Sequence, residues 1–178
     1  MKNVFMSKNG VEVRIHPESH PHRMDLLEEA IAAIELPTDS TFFKQTVDLG
    51  HIIGVDHLVK TSGNSKIVML RRGSRAGLTP MVINQGAAET SRVTVICCVA
   101  TDPEEHAGRW VVVTLFEGEQ GMPEPWDKKC DGNQELKAKC QKFWDEHALV
   151  PTPSEMQEIV EMLFDDLQKA HHQPGYNC

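Results

Sequence analysis

The segments SRVTVICCVA, residues 91–100, and RWVVVTLFEG, residues 109–118, indicate the fold class of this chain. Both are short apolar runs rich in valine, isoleucine and threonine, the residues that favour strands. Two similar segments precede them, TVDLGHIIGVDHLVKT at 46–61 and KIVMLRRGS with TPMVIN at 66–84. The breaks between segments are too short for parallel crossover connections. We therefore predict a mostly antiparallel meander.

Patterns on the N-terminal side of this sheet predict one strand and one helix. VEVRI, residues 11–15, alternates apolar and polar side chains with the period of a half-buried strand. MDLLEEAIAAIEL, residues 24–36, has apolar residues on one helical face and acids near its N-terminal end. Pro37 disfavours helical geometry in the residue before it, so the helix is predicted to stop there.

The C-terminal side is predicted to be a loop followed by two helices. Residues 117–133 are rich in glycine, proline and charge, which is typical of a long loop. Apolar residues near helical spacing favour a short helix over 134–147. A capping box formed by Ser154 and Gln157 predicts the start of a last helix that runs to about Ala170.

These elements predict an α+β fold in a single domain, residues 1–178. Its sheet has four to five strands and is packed with an N-terminal helix and one or two C-terminal helices. Residues 1–40 hold the first strand and helix, 41–118 the central antiparallel sheet, and 119–178 the loop and C-terminal helices. A domain of this size buries about 70% of its unfolded surface, so it needs no disulfide or metal to be stable.

Composition favours a cytoplasmic protein. The first 22 residues contain no apolar run of the kind that a signal peptide needs, and no later run approaches the ~20 residues that span a bilayer. We expect neither export nor contact with a membrane. The five cysteines include no CxxC pair, which suits a reducing compartment. No common nucleotide-binding, zinc-protease or serine-hydrolase motif occurs, so we predict no cofactor.

The charge distribution is uneven. Between His57 and Ala88 there are no acidic residues, whereas five basic residues give this window a charge of +5. The whole chain carries −8, so the rest carries −13. Three of the basic residues, Arg71, Arg72 and Arg75, lie in RRGSR and present guanidinium groups suited to bidentate contact with phosphate. The sequence therefore predicts either a site for RNA or another polyanion, or a basic hairpin that pairs with acidic helices.

Several histidines are candidates for function. His51 and His57 lie six residues apart in GHIIGVDHLV, a spacing that places both on one face of a strand. Histidine acts as a general acid or base near neutral pH, although a structural role is the alternative. His16, His20 and His22 in HPESHPH form a second group, for which metal binding and a solvated turn remain open.

The succession GHIIGVDHLV, VMLRRGSRAGL, SRVTVICCV and WVVVTLFEG resembles the sheet of the barnase, EndoU, colicin and RelE-like ribonuclease superfamily over about 70 residues. The resemblance implies metal-independent RNA cleavage. It implies that His51 activates the ribose 2′-hydroxyl and that Arg71, Arg72 or Arg75 stabilises charge on the phosphoryl oxygens. His57 is then a candidate proton donor to the leaving oxygen, and Thr114 a hydrogen-bond donor to phosphate.

Three functional hypotheses follow from the sequence. The first is a small metal-independent ribonuclease-like or polyanion-binding protein. The second is a non-catalytic interaction module whose acidic helices and proline-containing loop bind a partner protein. The third is metal binding through the N-terminal histidines. Whether the protein is an enzyme is left open by these patterns.

Overall fold

The chain folds into two units. The computed structural model describes residues 3–16, 18–19, 21–101 and 107–171. Contacts group the chain into a first unit, Met1–Asp56 with Ala88–Gln120, and a second unit, His57–Ala87 with Gly121–Cys178. The prediction of a single domain stays a prediction, because a grouping by contacts does not decide whether the two units fold together.

Eleven strands and three α-helices occur among the described residues. In chain order they are β1 (Val4–Met6), β2 (Glu12–Ile15), α1 (Leu27–Ala33), β3 (Phe42–Asp48), β4 (Gly54–Asp56), β5 (Leu58–Lys60), β6 (Ile67–Leu70), β7 (Thr79–Val82), β8 (Ala88–Thr90), β9 (Arg92–Val99), β10 (Trp110–Glu117), α2 (Gln134–Glu146), β11 (His147–Leu149) and α3 (Pro153–His171). Two 3₁₀ turns, Met24–Leu26 and Lys128–Cys130, precede α1 and α2. The predicted α+β class is confirmed.

The first unit is built on a five-stranded sheet in the order β1-β2-β10-β9-β3. Only β2 and β10 pair in parallel, and the other neighbours are antiparallel. Strands β9 and β10 pair as the meander predicts. The meander does not continue backwards, however, because β9 has β3 as its other neighbour, and β6 and β7 belong to another sheet. Strand spacing along a chain does not reveal such a non-sequential partner.

Helix α1 covers the first sheet and completes its core. Leu27, Ala30 and Ile31 are buried on the helix and pack against valines of β9 and β10. The helix ends at Ala33, four residues before Pro37, because Ile34 adopts extended geometry and is itself buried. The apolar pattern continues to Leu36 because Ile34 and Leu36 are still buried after the helix has ended.

The second unit holds a four-stranded sheet in the order β5-β11-β7-β6, together with α2 and α3. Strand β11 pairs antiparallel with β5 and parallel with β7. The buried apolar side chains of the second unit form two small clusters, Val59 with Val82 and Ala148, and Leu70 with Met81 and Ile159. Ile159 is the contribution of α3 to this core.

Helix α3 starts at a capping box two residues earlier than predicted. The Glu155 backbone N–H donates to Thr152 Oγ1 at 3.3 Å, and the Thr152 N–H donates to Glu155 Oε2 at 2.9 Å. Pro153 occupies the first helical position, where its missing N–H costs nothing. The Ser154 and Gln157 pair has the right spacing but lies inside the helix. Among the described residues, no helix is long and apolar enough to cross a bilayer.

Candidate functional site

The predicted catalytic residues are divided between the two units. His51 and Thr114 belong to the first unit, whereas His57, Arg71, Arg72 and Arg75 belong to the second. His51 lies in the bend after Gly50, where its Nδ1 is 3.1 Å from the Leu49 carbonyl oxygen and 3.5 Å from Glu29 Oε1. Thr114 lies in β10, opposite Ile96 of β9. The ribonuclease hypothesis stays a prediction.

His57 has a structural contact in the second unit. Its Nδ1 donates to the Val150 carbonyl at 3.0 Å, and the Val150 N–H donates to the His57 carbonyl at 2.7 Å. This reciprocal pair joins the start of β5 to the end of β11. The contact fixes the ring through one nitrogen, and the role of His57 as a proton donor stays a prediction.

The arginine residues of RRGSR have partners within the second unit. Arg71 donates to the carbonyls of Arg75 and Ala76 at 3.3 and 3.0 Å, and so closes its own loop. Arg72 Nε donates to Glu155 Oε1 at 2.8 Å. Arg75 donates to Glu124 Oε1 at 3.0 Å. Two of the three guanidinium groups are therefore paired with carboxylates. Glu155 lies on α3, as the alternative of a basic hairpin paired with acidic helices expects, whereas Glu124 lies in the loop before α2.

The carboxylate of Glu155 takes part in two interactions, the ion pair with Arg72 and the capping box with Thr152. Burial alone would raise the pKa of Glu155, but hydrogen bonds from Thr152 and from Arg72 outweigh it and hold the pKa below its ordinary value. The same side chain thus caps α3 and pairs with the loop after β6. Together with buried Ile159, it orients α3 on its own unit.

The two described N-terminal histidines, His16 and His22, do not belong to a metal centre. Nδ1 of His16 accepts a hydrogen bond from the Glu18 backbone N–H at 3.1 Å, and His22 is exposed. His20 lies outside the described residues. Within the part of the chain that the structure describes, no group of three or more histidine, cysteine or acidic side chains is arranged to hold a metal ion.

An exposed apolar face on α3 is the strongest candidate for a binding surface. Val160, Leu163, Phe164 and Leu167 are 57%, 40%, 60% and 60% exposed. Their spacing of three and four residues places them on one side of the helix. Ile159, about 100° around the helix from Val160, is only 1% exposed. Helix α3 therefore has one buried side and a separate exposed apolar surface. We call this exposed surface, formed by Val160, Leu163, Phe164 and Leu167, the α3 face.

Acidic residues surround the α3 face. Between Pro153 and His171 the helix carries five acidic residues and one lysine. Glu161 is three residues before Phe164, and Asp166 is three residues after Leu163, so both adjoin the face on opposite sides. The surface therefore combines an apolar stripe with a negative border.

A cavity of about 440 Å³ is the second feature of the same unit. Strands β6 and β7, the loop residues Glu124–Trp126 and helix α2 contribute its walls. Trp126 and Trp144 both line it.

No family model, curated protein or solved structure matches this chain. The resemblance to the ribonuclease superfamily therefore rests on its sequence segments alone. The site is inferred from the geometry of the chain itself.

Apolar residues at helical spacing mark the last helix in the sequence, and they include the residues of the α3 face. The same apolar period indicates a face packed on the protein's own sheet and a face open to a partner. Glu161 and Asp166 adjoin the apolar positions on both sides, but such a border does not by itself separate the two cases. The hypothesis of an interaction module with acidic helices used this charge pattern in general form.

Proposed function

We propose that this protein is a non-catalytic interaction module that binds a partner protein through the α3 face. The observation that carries the proposal is the exposure of four large apolar side chains on one side of α3, while Ile159 of the same helix is buried. Contiguous exposed apolar surface with a polar rim is typical of protein interaction sites. Such a face gains stability when a partner covers it.

The acidic border determines the chemistry of the partner. An amphipathic helix with an apolar stripe and flanking lysines or arginines matches both features of the α3 face. Its apolar side chains would cover Leu163 and Phe164, and its cations would face Glu161 and Asp166. We therefore commit to a basic amphipathic helix as the occupant.

A second copy of the chain fits this surface less well. Two α3 helices in contact would bring together ten acidic residues and two lysines, and like charges across an interface cost free energy. RNA fits less well still, because α3 is acidic and Arg72 and Arg75 already pair with carboxylates. A cytoplasmic setting suits the module, since the four described cysteines are free thiols.

Binding of designed peptides tests the proposal. One 18-residue helical peptide carries a leucine stripe flanked by lysines, a second has glutamates in place of the lysines, and a third is a scramble of the first. Covering four half-exposed side chains contributes about 4 kcal/mol, and exposed ion pairs add on the order of 1 kcal/mol. We expect a Kd on the order of 100 µM for the lysine peptide, measured by fluorescence anisotropy.

Matched variants locate the binding. Phe164→Ser with Leu167→Ser should weaken binding of the lysine peptide at least tenfold, whereas Ile52→Ser removes an equally exposed side chain of the first unit and should change nothing. Charge reversal by Glu161→Lys with Asp166→Lys should transfer the preference to the glutamate peptide. Equal binding of the scrambled peptide, or a concentration-dependent dimer in light scattering, would contradict the proposal.

A further inference from the structure

The cavity in the second unit has the size and lining of a small-molecule site. Its volume of about 440 Å³ lies within the range of about 300–1,000 Å³ that ligand pockets occupy. Ile67 and Met69, two residues apart on β6, line one wall and are 42% and 44% exposed, and Leu78 lines the same cavity. Apolar side chains are therefore open to solvent inside a concave surface.

Both tryptophans of the cavity are fixed through their indole N–H groups. Trp126 Nε1 donates to the Leu78 carbonyl at 2.9 Å. Trp144 Nε1 donates to the carbonyls of Met122 and Pro123 at 3.0 and 3.1 Å. Gly77 makes room for Trp126, since a Cβ at that position would lie 2.3 Å from the indole ring. The rings are thus held in place with their polar atoms satisfied, and what they offer a ligand is π surface.

Glu124 is the buried polar group of this cavity. The residue is 8% exposed, and its Oε1 accepts from Arg75 Nη1 at 3.0 Å and from Thr79 Oγ1 at 3.2 Å. No donor among the described residues reaches its second oxygen, Oε2. A buried carboxylate oxygen without a donor favours a ligand that supplies one. Glu124 and the tryptophan rings therefore favour the same kind of ligand, one with an apolar body and a hydrogen-bond donor group.

The remaining polar groups of the lining favour a cation over an anion. His147 Nδ1 donates to the Phe143 carbonyl at 2.9 Å, which leaves Nε2 as an acceptor in the neutral ring. Asp145 adds a second carboxylate. The one cation of the lining, Lys137, lies eight residues before Asp145 on α2, about 12 Å away along the helix. An ammonium group near Asp145 is thus separated from that lysine along the helix. Glu124 is paired with Arg75 through Oε1, and its other oxygen is the one that a ligand would use.

We propose that this cavity binds a small organic ammonium compound with an aromatic or alkyl body. The body lies against Trp126, Trp144 and the apolar side chains of β6, and the ammonium group donates to Glu124 Oε2. Tryptophan faces attract cations through their ring quadrupole, which adds to the attraction of the carboxylate. This site is independent of the α3 face, because it uses different residues and a different ligand class.

Three matched probes test the ligand class. 2-Phenylethylamine, 2-phenylethanol and 3-phenylpropionate share a phenyl ring but carry a cation, a neutral group and an anion. Binding is followed by nuclear magnetic resonance of the three indole N–H signals, assigned with Trp→Phe variants. We expect the amine to shift the signals of Trp126 and Trp144 with a Kd below about 1 mM and at least tenfold tighter than the alcohol. Trp110 belongs to the first unit and is the internal control.

A variant of Glu124 tests the role of the buried carboxylate. Glu124→Gln keeps an acceptor for Arg75 and Thr79 but removes the negative charge, so the amine should lose at least tenfold in affinity while the alcohol does not. Glu146→Gln, on the same helix as Trp144 but outside the lining, is the matched control. If Glu124→Gln does not fold, nuclear Overhauser contacts between the amine and Trp126 or Trp144 in the wild type decide instead. Equal affinity for the carboxylate probe, or no shift with any probe at 10 mM, would overturn the proposal.

Discussion

Arg72 Nε donates to Glu155 Oε1 at 2.8 Å, and this ion pair joins the loop after β6 to the first turn of α3. The other oxygen of Glu155 accepts from the Thr152 N–H and completes the capping box. One carboxylate thus starts the helix and fixes it to its own unit. The α3 face is presented by a helix that is anchored at its N-terminal end.

Removing this carboxylate should destabilise the second unit. We expect Glu155→Ala to lower the free energy of unfolding by about 1–2 kcal/mol, because it deletes both a cap and a half-buried ion pair. Urea denaturation followed by circular dichroism measures the loss. Glu158→Ala, an exposed change on the same helix, is the control and should stay within about 0.5 kcal/mol of wild type. Equal effects of the two variants would contradict the anchoring role.

The stabilising effect of Glu155 should depend on pH. Its pKa is lowered in the folded protein from an ordinary value of 4.5, so its contribution is present above pH 4.5 and is lost as the pH falls through the folded value. The difference in stability between wild type and Glu155→Gln should therefore be constant near neutral pH and shrink below pH 4.5. Other carboxylates titrate in both proteins and cancel. A difference that grows on acidification would refute the assignment.

RNA cleavage separates this account from the ribonuclease hypothesis. If the arginine residues serve to pair with Glu124 and Glu155, the purified protein should cleave no RNA, and His51→Ala should behave like wild type. A fluorogenic RNA substrate, with and without a metal chelator, measures turnover. Cleavage that disappears in His51→Ala would restore the catalytic hypothesis and remove our principal argument against it.

Thiol reactivity should follow burial. Burial, with a smaller contribution from Cys98, raises the pKa of Cys97 to about 12, so at pH 8 it is protonated and unreactive. Cys130 and Cys140 are also buried, whereas Cys98 is half-buried. In a Cys178→Ser background, native protein should react with a maleimide first at Cys98. Mass spectrometry of the labelled peptides checks this order, and early modification of Cys97 would show that β9 is not packed as described.

Local patterns predicted much of the fold. The acid-rich stretch before Ile31, the apolar period of 134–147 and the valine-rich runs near Cys97 and Val112 each corresponded to a real helix or strand. These signals depend on contacts within a few residues or on burial of one face. The position of the last helix was also predicted, although its cap is Thr152 and not Ser154, because two capping pairs of the same spacing lie two residues apart.

Long-range relationships were not predictable in this way. The pairing of β3 with β9 brings Phe42 opposite Cys98, and no local pattern selects that partner. The sequence showed the acid-free window. It did not show that Arg72 pairs with Glu155, eighty-three residues later. Exposure of Phe164 was equally hidden, since apolar periodicity does not distinguish a covered face from an open one.

Hydrogen–deuterium exchange of the wild type with the lysine-flanked peptide shows which residues the peptide covers. At saturating peptide, we expect slower amide exchange confined to α3, centred on residues 160–167, with no change around Ile52 of the first unit. The same experiment with the glutamate peptide should show no protection. Binding of the lysine peptide that leaves exchange in α3 unchanged would contradict the claim that this face is the binding surface.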